Sequence, residues 1–169
     1  MSNRAIFFDR DGTLNLDTGF LHDKSEFVWI DGAIDALKLC RKCGFLTIVV
    51  TNQSGIARGF YTEADTENLH LWMNEELDKL DAKIDGFYYC PHHPEGKLAK
   101  YRKVCACRKP APGMIERAAK DFDIDRALSY LIGDRQSDMD AAKAAGVRGL
   151  LYQGGNLADF LRQHIDELA

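Results

Sequence analysis

Long apolar runs are missing from this 169-residue chain, and no stretch approaches the roughly 20 residues that a membrane span needs. An excess of positive charge is missing too. With 22 Lys and Arg against 26 Asp and Glu, the net charge is −4 and the isoelectric point near 5.7. That balance argues against a general affinity for nucleic acid, which rests on neutralising phosphates with Lys and Arg. No repeat or low-complexity tract is visible, so disorder and solenoid architectures are not expected. Cysteine stops at five, an odd number, and three of the five lie close to histidines, which suits reduced thiols and a metal better than disulfides. Met1-Ser2-Asn3-Arg4 leads directly into an apolar segment without a signal-peptide pattern, so a cytoplasmic protein is expected. What is there is ordinary globular composition, 46% hydrophobic and 28% charged, in a length that fits one domain over residues 1–169. A monomer without membrane or nucleic-acid partners is the default expectation.

Ala5-Ile6-Phe7-Phe8 reads as a buried strand of a parallel sheet and runs straight into Asp9-Arg10-Asp11-Gly12-Thr13. Residues i and i+2 of an extended segment point the same way, so Asp9 and Asp11 can face one ligand, and a divalent cation relieves their repulsion. Turn chemistry alone is the competing explanation for Asp and Gly at a strand end. Residues 14–30 read as an irregular loop over those carboxylates, with Asp17-Thr18-Gly19-Phe20 at its turn. A helix is expected from Asp31 as N-cap to Gly44, then a strand over Phe45–Val50. Thr62-Glu63-Ala64-Asp65 resembles an acidic capping box, followed by a core stripe of Leu69, Trp72, Met73, Leu77 and Leu80. Further strands are expected at Asp85–Tyr89, Tyr130–Ile132 and Gly149–Tyr152, with helices over Gly113–Lys120, Asp138–Ala145 and Asn156–Ala169. This alternation predicts an α/β fold, a Rossmann-like doubly wound parallel sheet whose ligand site lies beyond the carboxyl ends of the strands.

Three more segments fall at strand ends or helix starts. Thr51-Asn52-Gln53-Ser54-Gly55 offers a hydroxyl and turn amides to an anionic oxygen, although the same residues also make ordinary loops. Arg108-Lys109-Pro110 supplies two cations, whose commonest fate is a surface salt bridge. Gly133-Asp134-Arg135-Gln136-Ser137-Asp138 places carboxylates at i and i+4, where capping explains Asp138 but not Asp134. A nucleophilic carboxylate, a second carboxylate, a hydroxyl, a lysine and a metal-holding aspartate are what phosphoryl transfer requires.

In order and spacing, these four segments resemble the motifs of the haloacid dehalogenase superfamily of phosphatases. With Ile56-Ala57-Arg58-Gly59 and Cys90-Pro91-His92-His93-Pro94, they are similar to its branch acting on heptose 1,7-bisphosphates, a sister of the histidinol-phosphate phosphatases. The resemblance implies that Asp9 attacks phosphorus and that Asp11 protonates the leaving oxygen and later activates water. It implies catalytic Mg2+ on Asp9, the Asp11 backbone carbonyl and Asp134, with Thr51 and Lys109 completing the catalytic set and Asp138 positioning Lys109. Substrate contacts are expected from Asp17, Thr18, Gly19, Phe20, Thr51, Asn52, Gln53, Ser54, Arg108, Lys109 and Arg135. The expected substrate is a small sugar bisphosphate, with histidinol phosphate or a broader monoester as the alternative.

Cys90-x-His92 and Cys105-x-Cys107 supply three thiolates and one imidazole, a closed tetrahedral set for structural Zn2+, with His93 the rival to His92. Buried free cysteines beside exposed histidines are the other explanation. Cys40-Arg41-Lys42-Cys43 looks like a redox pair but falls at a helix C-terminus, where no dipole stabilises a thiolate, so it reads as packing. One loop, one helix and one strand fill the interval from Asp9 to Thr51, so no large cap is expected. The zinc loop, residues 90–107, stands in for it and fixes Arg108 and Lys109.

Overall fold

The computed structural model describes residues 2–169. Arg4–Phe8 forms β1, followed by a loop with a 3-10 turn at Lys24–Glu26, α1 over Ala33–Lys42 and β2 over Phe45–Asn52. Then come α2 (Glu63–Asp78), β3 (Gly86–Cys90), α3 (Gly113–Asp121), β4 (Tyr130–Gly133), α4 (Gln136–Ala145), β5 (Arg148–Leu151) and α5 (Leu157–His164). The five strands form one sheet in the order β3-β2-β1-β4-β5, and every pairing is parallel. The expected doubly wound α/β sheet is the observed one.

Alternation along β1 explains why both sheet faces are covered. Ile6 and Phe8 enter one core with Leu37 of α1, Met73 of α2 and Leu161 of α5. Ala5 and Phe7 point the other way, into a core with Ile115 of α3 and Ala141 of α4. All four β1 side chains are fully buried, and each phenylalanine contributes roughly 1.5–3 kcal/mol of burial. β1 is therefore the central strand, and its carboxyl end is the middle of the sheet's upper edge.

The capping box at Thr62 and Asp65 is present in both halves. Asp31 is not the cap of α1, in contrast to the sequence expectation. Gly32 takes that place in the left-handed region (φ +77°), because a β-carbon there would collide with the Asn156 side chain that caps α5. Leu80 lies past the end of α2 and is exposed, so the core stripe stops at Leu77. The C-terminal segment closes the first core through Leu157, Leu161, Ile165 and Leu168. Cys40 is fully buried in that same core and Cys43 packs against it, which agrees with the packing explanation. No described helix is long and apolar enough to cross a membrane.

Candidate active site and metal groups

Three residues that lie far apart in the chain meet at one nitrogen beyond the end of β1. Lys109 Nζ donates to Asp9 Oδ1 (2.9 Å), to Asp138 Oδ1 (2.6 Å) and to the backbone carbonyl of Val50 in β2 (2.8 Å). Lys109 is nearly inaccessible, and so are both of its carboxylate partners. Burial disfavours its charge, but Asp9 and Asp138 more than offset this and raise its pKa. Burial pushes Asp9 up to about 7, with Lys109 opposing and Asp138 and Asp11 adding to the rise. A buried carboxylate in that state benefits from a further cation.

Asp138 is not the N-cap of α4. It lies in the first turn, where its other oxygen accepts from the Arg135 backbone N–H (3.1 Å), so both oxygens are engaged. Asp9, Asp134 and Asp138 bring ligand oxygens within 4.8 Å of one another. Asp134 Oδ1 is buried without a hydrogen-bond partner, the condition in which a carboxylate oxygen suits a hard divalent cation. The donor set fits Mg2+ on Asp9 and Asp134, because Asp138 is already held by Lys109 and the Arg135 amide. Gly12 (φ +88°) lets the chain pass over Asp134, whose carboxylate would collide with any β-carbon there.

Asp11 turns its carboxylate toward the same cavity, which has a volume of about 600 Å³. Asp9, Asp11, Asp17, Gly19, Phe20, Asn52, Gln53, Ser54, Arg108, Lys109 and Arg135 all line it. Thr18, predicted to contact the substrate, is not among its lining residues. Thr51 is buried behind the wall, where its hydroxyl accepts from Gln53 (2.9 Å). Asn52 clamps the Lys109 backbone through both ends of its amide (3.1 and 2.9 Å). Arg135 reaches across to Asp17 (3.1 Å), which ties the overhanging loop to α4. Arg58 and Tyr61 also line the cavity and were not singled out from the sequence. Arg58 was visible only as part of the Ile56–Gly59 run, and nothing local marked Tyr61. With Arg108 and Arg135, Arg58 gives the cavity three guanidinium groups, a setting for an anionic ligand.

Cys90, His92, Cys105 and Cys107 converge as a second group. Their sulfurs lie 2.8–3.5 Å apart, and His92 Nδ1 lies 3.3 Å from Cys107 and 3.6 Å from Cys90. Zinc bonded at about 2.3 Å to each sulfur would set these edges near 3.8 Å, so slight spreading would admit the ion. The close Cys90 sulfur, hydrogen-bonded to it, draws Cys107 down to about 5, toward the thiolate that a metal requires. His93 is outside the group. Arg108, one residue beyond Cys107, donates to the His92 carbonyl (3.5 Å). A second cavity, about 1080 Å³, runs along β3, is lined in part by His92 and Cys107, and contains none of the carboxylates at the end of β1.

Comparison with known proteins agrees with this geometry. A family profile described as HAD-hydrolase-like matches residues 106–166. The D-glycero-beta-D-manno-heptose-1,7-bisphosphate 7-phosphatase of Escherichia coli (strain K12) is 54% identical over 143 residues, covering 85% of this chain and 75% of the relative. The enzyme of that name from Haemophilus influenzae is 43% identical over 175 positions, covering 98% and 95%. Among solved structures, D,D-heptose 1,7-bisphosphate phosphatase from B. bronchiseptica, complexed with magnesium and phosphate, superposes with a TM-score of 0.80. It is 32% identical, with 96% of this chain and 87% of that one covered. At this identity over this much of both chains, the protein belongs to the haloacid dehalogenase-like phosphatases, in one family with these heptose bisphosphate phosphatases.

Proposed function

We propose that the protein removes the 7-phosphate of D-glycero-D-manno-heptose 1,7-bisphosphate through an aspartyl-phosphate, with Asp9 as nucleophile and Asp11 as acid and then base. The observation that carries the chemistry is the buried Asp9–Lys109–Asp138 set opening on a cavity rimmed by Arg58, Arg108 and Arg135. The two relatives named for the β anomer support the sugar and favour that anomer. A bisphosphate also suits a rim of three guanidinium groups better than histidinol phosphate, whose amine is cationic.

The Asp9 carboxylate stands at the strand end with a single hydrogen bond, from Lys109, which fixes it without enclosing it. The Lys109 charge offsets that of the attacking carboxylate and of the phosphoryl oxygens, and Asp138 keeps the ammonium in place. Asp11 gives its proton to the departing oxygen and takes one from water in the second half. Mg2+ held by Asp9, Asp134 and the Asp11 carbonyl would supply charge stabilisation to the phosphoryl group. Gln53 holds Thr51 and Asp11 together, and the Ser54 turn faces the same space. Zn2+ on Cys90, His92, Cys105 and Cys107 would be structural, with no open position for chemistry, and the reduced thiols that it needs suit a cytoplasmic protein. The whole chain would then act as one cap-less domain and as a monomer.

The test is phosphate release with Mg2+ from the α and β anomers of heptose 1,7-bisphosphate, beside histidinol phosphate and fructose 1,6-bisphosphate. A strong preference for the β anomer is expected. Equal, weak turnover of all four would overturn the substrate while leaving the phosphatase chemistry intact.

A further inference from the structure

Asp11 is held from two sides. Arg10 Nε and Nη2 donate to its Oδ1 (3.1 and 3.0 Å), Nη2 also approaches Oδ2 (3.1 Å), and Asn15 donates to Oδ1 (3.0 Å). Gln53 Nε2 donates to Oδ2 (3.0 Å) from the opposite side. Oδ1 is thereby surrounded, and Oδ2 is left as the oxygen with more freedom to hold and pass a proton.

Each of these donors is itself held. Arg10 has no accessible surface, which is costly for a cation unless every N–H finds a partner. Besides Asp11, it donates to the Leu21 carbonyl in the overhanging loop (2.8 Å) and lies 3.2 Å from His70 Nε2. His70 projects from α2, buried and stacked on Phe87 (4.5 Å between ring centroids). Burial, reinforced by Arg10, pulls its pKa down to about 3, so the ring is neutral and Nε2 is an acceptor. On the other side, the Tyr61 phenol donates to Gln53 Oε1, which leaves the amide NH₂ to face Asp11 and Thr51. Burial pushes Tyr61 up to about 12, so it remains a donor.

We propose that His70 and Tyr61 are positioning residues for proton transfer: His70 holds Arg10, Tyr61 holds Gln53, and the two held groups aim Asp11 at the leaving oxygen. This rests on the reading of Asp11 as the acid. In that step a bond forms from Asp9 to phosphorus as the bond from phosphorus to the alcohol oxygen breaks. The proton on Asp11 passes to that oxygen, which departs as neutral alcohol.

The readout that separates aiming from mere packing is leaving-group dependence. p-Nitrophenolate departs without a proton, whereas phenolate and the sugar alkoxide need one. We would measure kcat/KM for p-nitrophenyl phosphate, phenyl phosphate and heptose 1,7-bisphosphate in the wild type, Asp11→Asn, His70→Phe, His70→Gln and Tyr61→Phe. The ratio of p-nitrophenyl to phenyl turnover should rise roughly 10-fold or more in Asp11→Asn and His70→Phe. It should rise less in Tyr61→Phe and return toward the wild-type value in His70→Gln, whose amide oxygen can accept from Arg10. An unchanged ratio in His70→Phe and Tyr61→Phe, with a raised one in Asp11→Asn, overturns the proposal and leaves Asp11 as the acid. An unchanged ratio in all variants overturns both. If His70→Phe does not fold, Tyr61→Phe, which loses only a hydroxyl, decides the matter by the same ratio.

Discussion

Asp9 and Asp134 stand just past the ends of β1 and β4, and Asp138 in the first turn of α4, whereas Cys90, His92, Cys105 and Cys107 join one strand end to irregular chain. Hydrogen bonding within a parallel sheet already places the carboxylates, because β1 and β4 are neighbours in register. Residues 91–112 contain no helix or strand, so the ligands there are brought together mainly by one another. The difference teaches what each cation would do. At the carboxylates it would complete a frame that stands without it; at the thiolates it would be part of the frame.

Removing the Asp9 carboxylate tests the first half of that contrast. Asp9→Asn should lower kcat by roughly 10³-fold or more while circular dichroism and the melting temperature stay near wild type. A variant that still turns over at the wild-type rate would end the mechanism. Lys109→Met should mix the two kinds of damage. It should lose roughly 10²–10³ in kcat, and unfolding should be easier by about 3–5 kcal/mol, since two buried carboxylates lose their shared partner. Denaturant titration beside steady-state kinetics would show both, and a purely kinetic defect would mean that water replaces the ammonium.

Cys107→Ser tests the second half. Its melting temperature should fall by roughly 5–10 °C, with KM rising more than kcat falls, because Arg108 and Lys109 follow directly in the chain. After chelation, Mg2+ alone should not restore the lost melting temperature, and Zn2+ should; restoration by Mg2+ alone would erase the distinction between the groups. A further effect concerns acid stability. His70 has a depressed pKa in the folded state, so between its unfolded value near 6.5 and about 3 the unfolded chain binds the extra proton. Stability is therefore lost as pH falls through that window, by at most about 1.4 kcal/mol per pH unit. His70→Gln should flatten this slope in urea titrations at a series of pH values, and an unaltered slope would show that His70 is not its source.

Much of the fold was legible because β1 and β2 carry the apolar runs Ala5–Phe8 and Ile48–Val50, and α2 opens on a clear capping box at Thr62 and Asp65. Asp9 and Asp11 were legible as a pair from their spacing alone. Lys109, Asp134 and Thr51 were legible as residues at strand ends or helix starts, and the resemblance gave them their roles; strand order, not sequence distance, brings residue 109 to residue 9. Asp138 looked like a cap because a carboxylate in a helix's first turn serves a backbone amide and a distant lysine equally well. Arg10 and His70 were missed for a related reason. A buried arginine is indistinguishable in a sequence from an exposed one until its acceptors are found, and His70 lies 60 residues away. The period-2 alternation that turns Asp9 and Asp11 to the cavity would also have turned Arg10 away from it.

The Lys109 ammonium has all three hydrogens directed at oxygens, in a place that water barely reaches. Side-chain ammonium protons in contact with solvent exchange too quickly to be followed, but protection of this kind slows the exchange. The group should therefore give a persistent nuclear magnetic resonance signal. Titrating phosphate while watching that signal would reveal which of the three bonds is given up when an anion arrives, without any turnover at all.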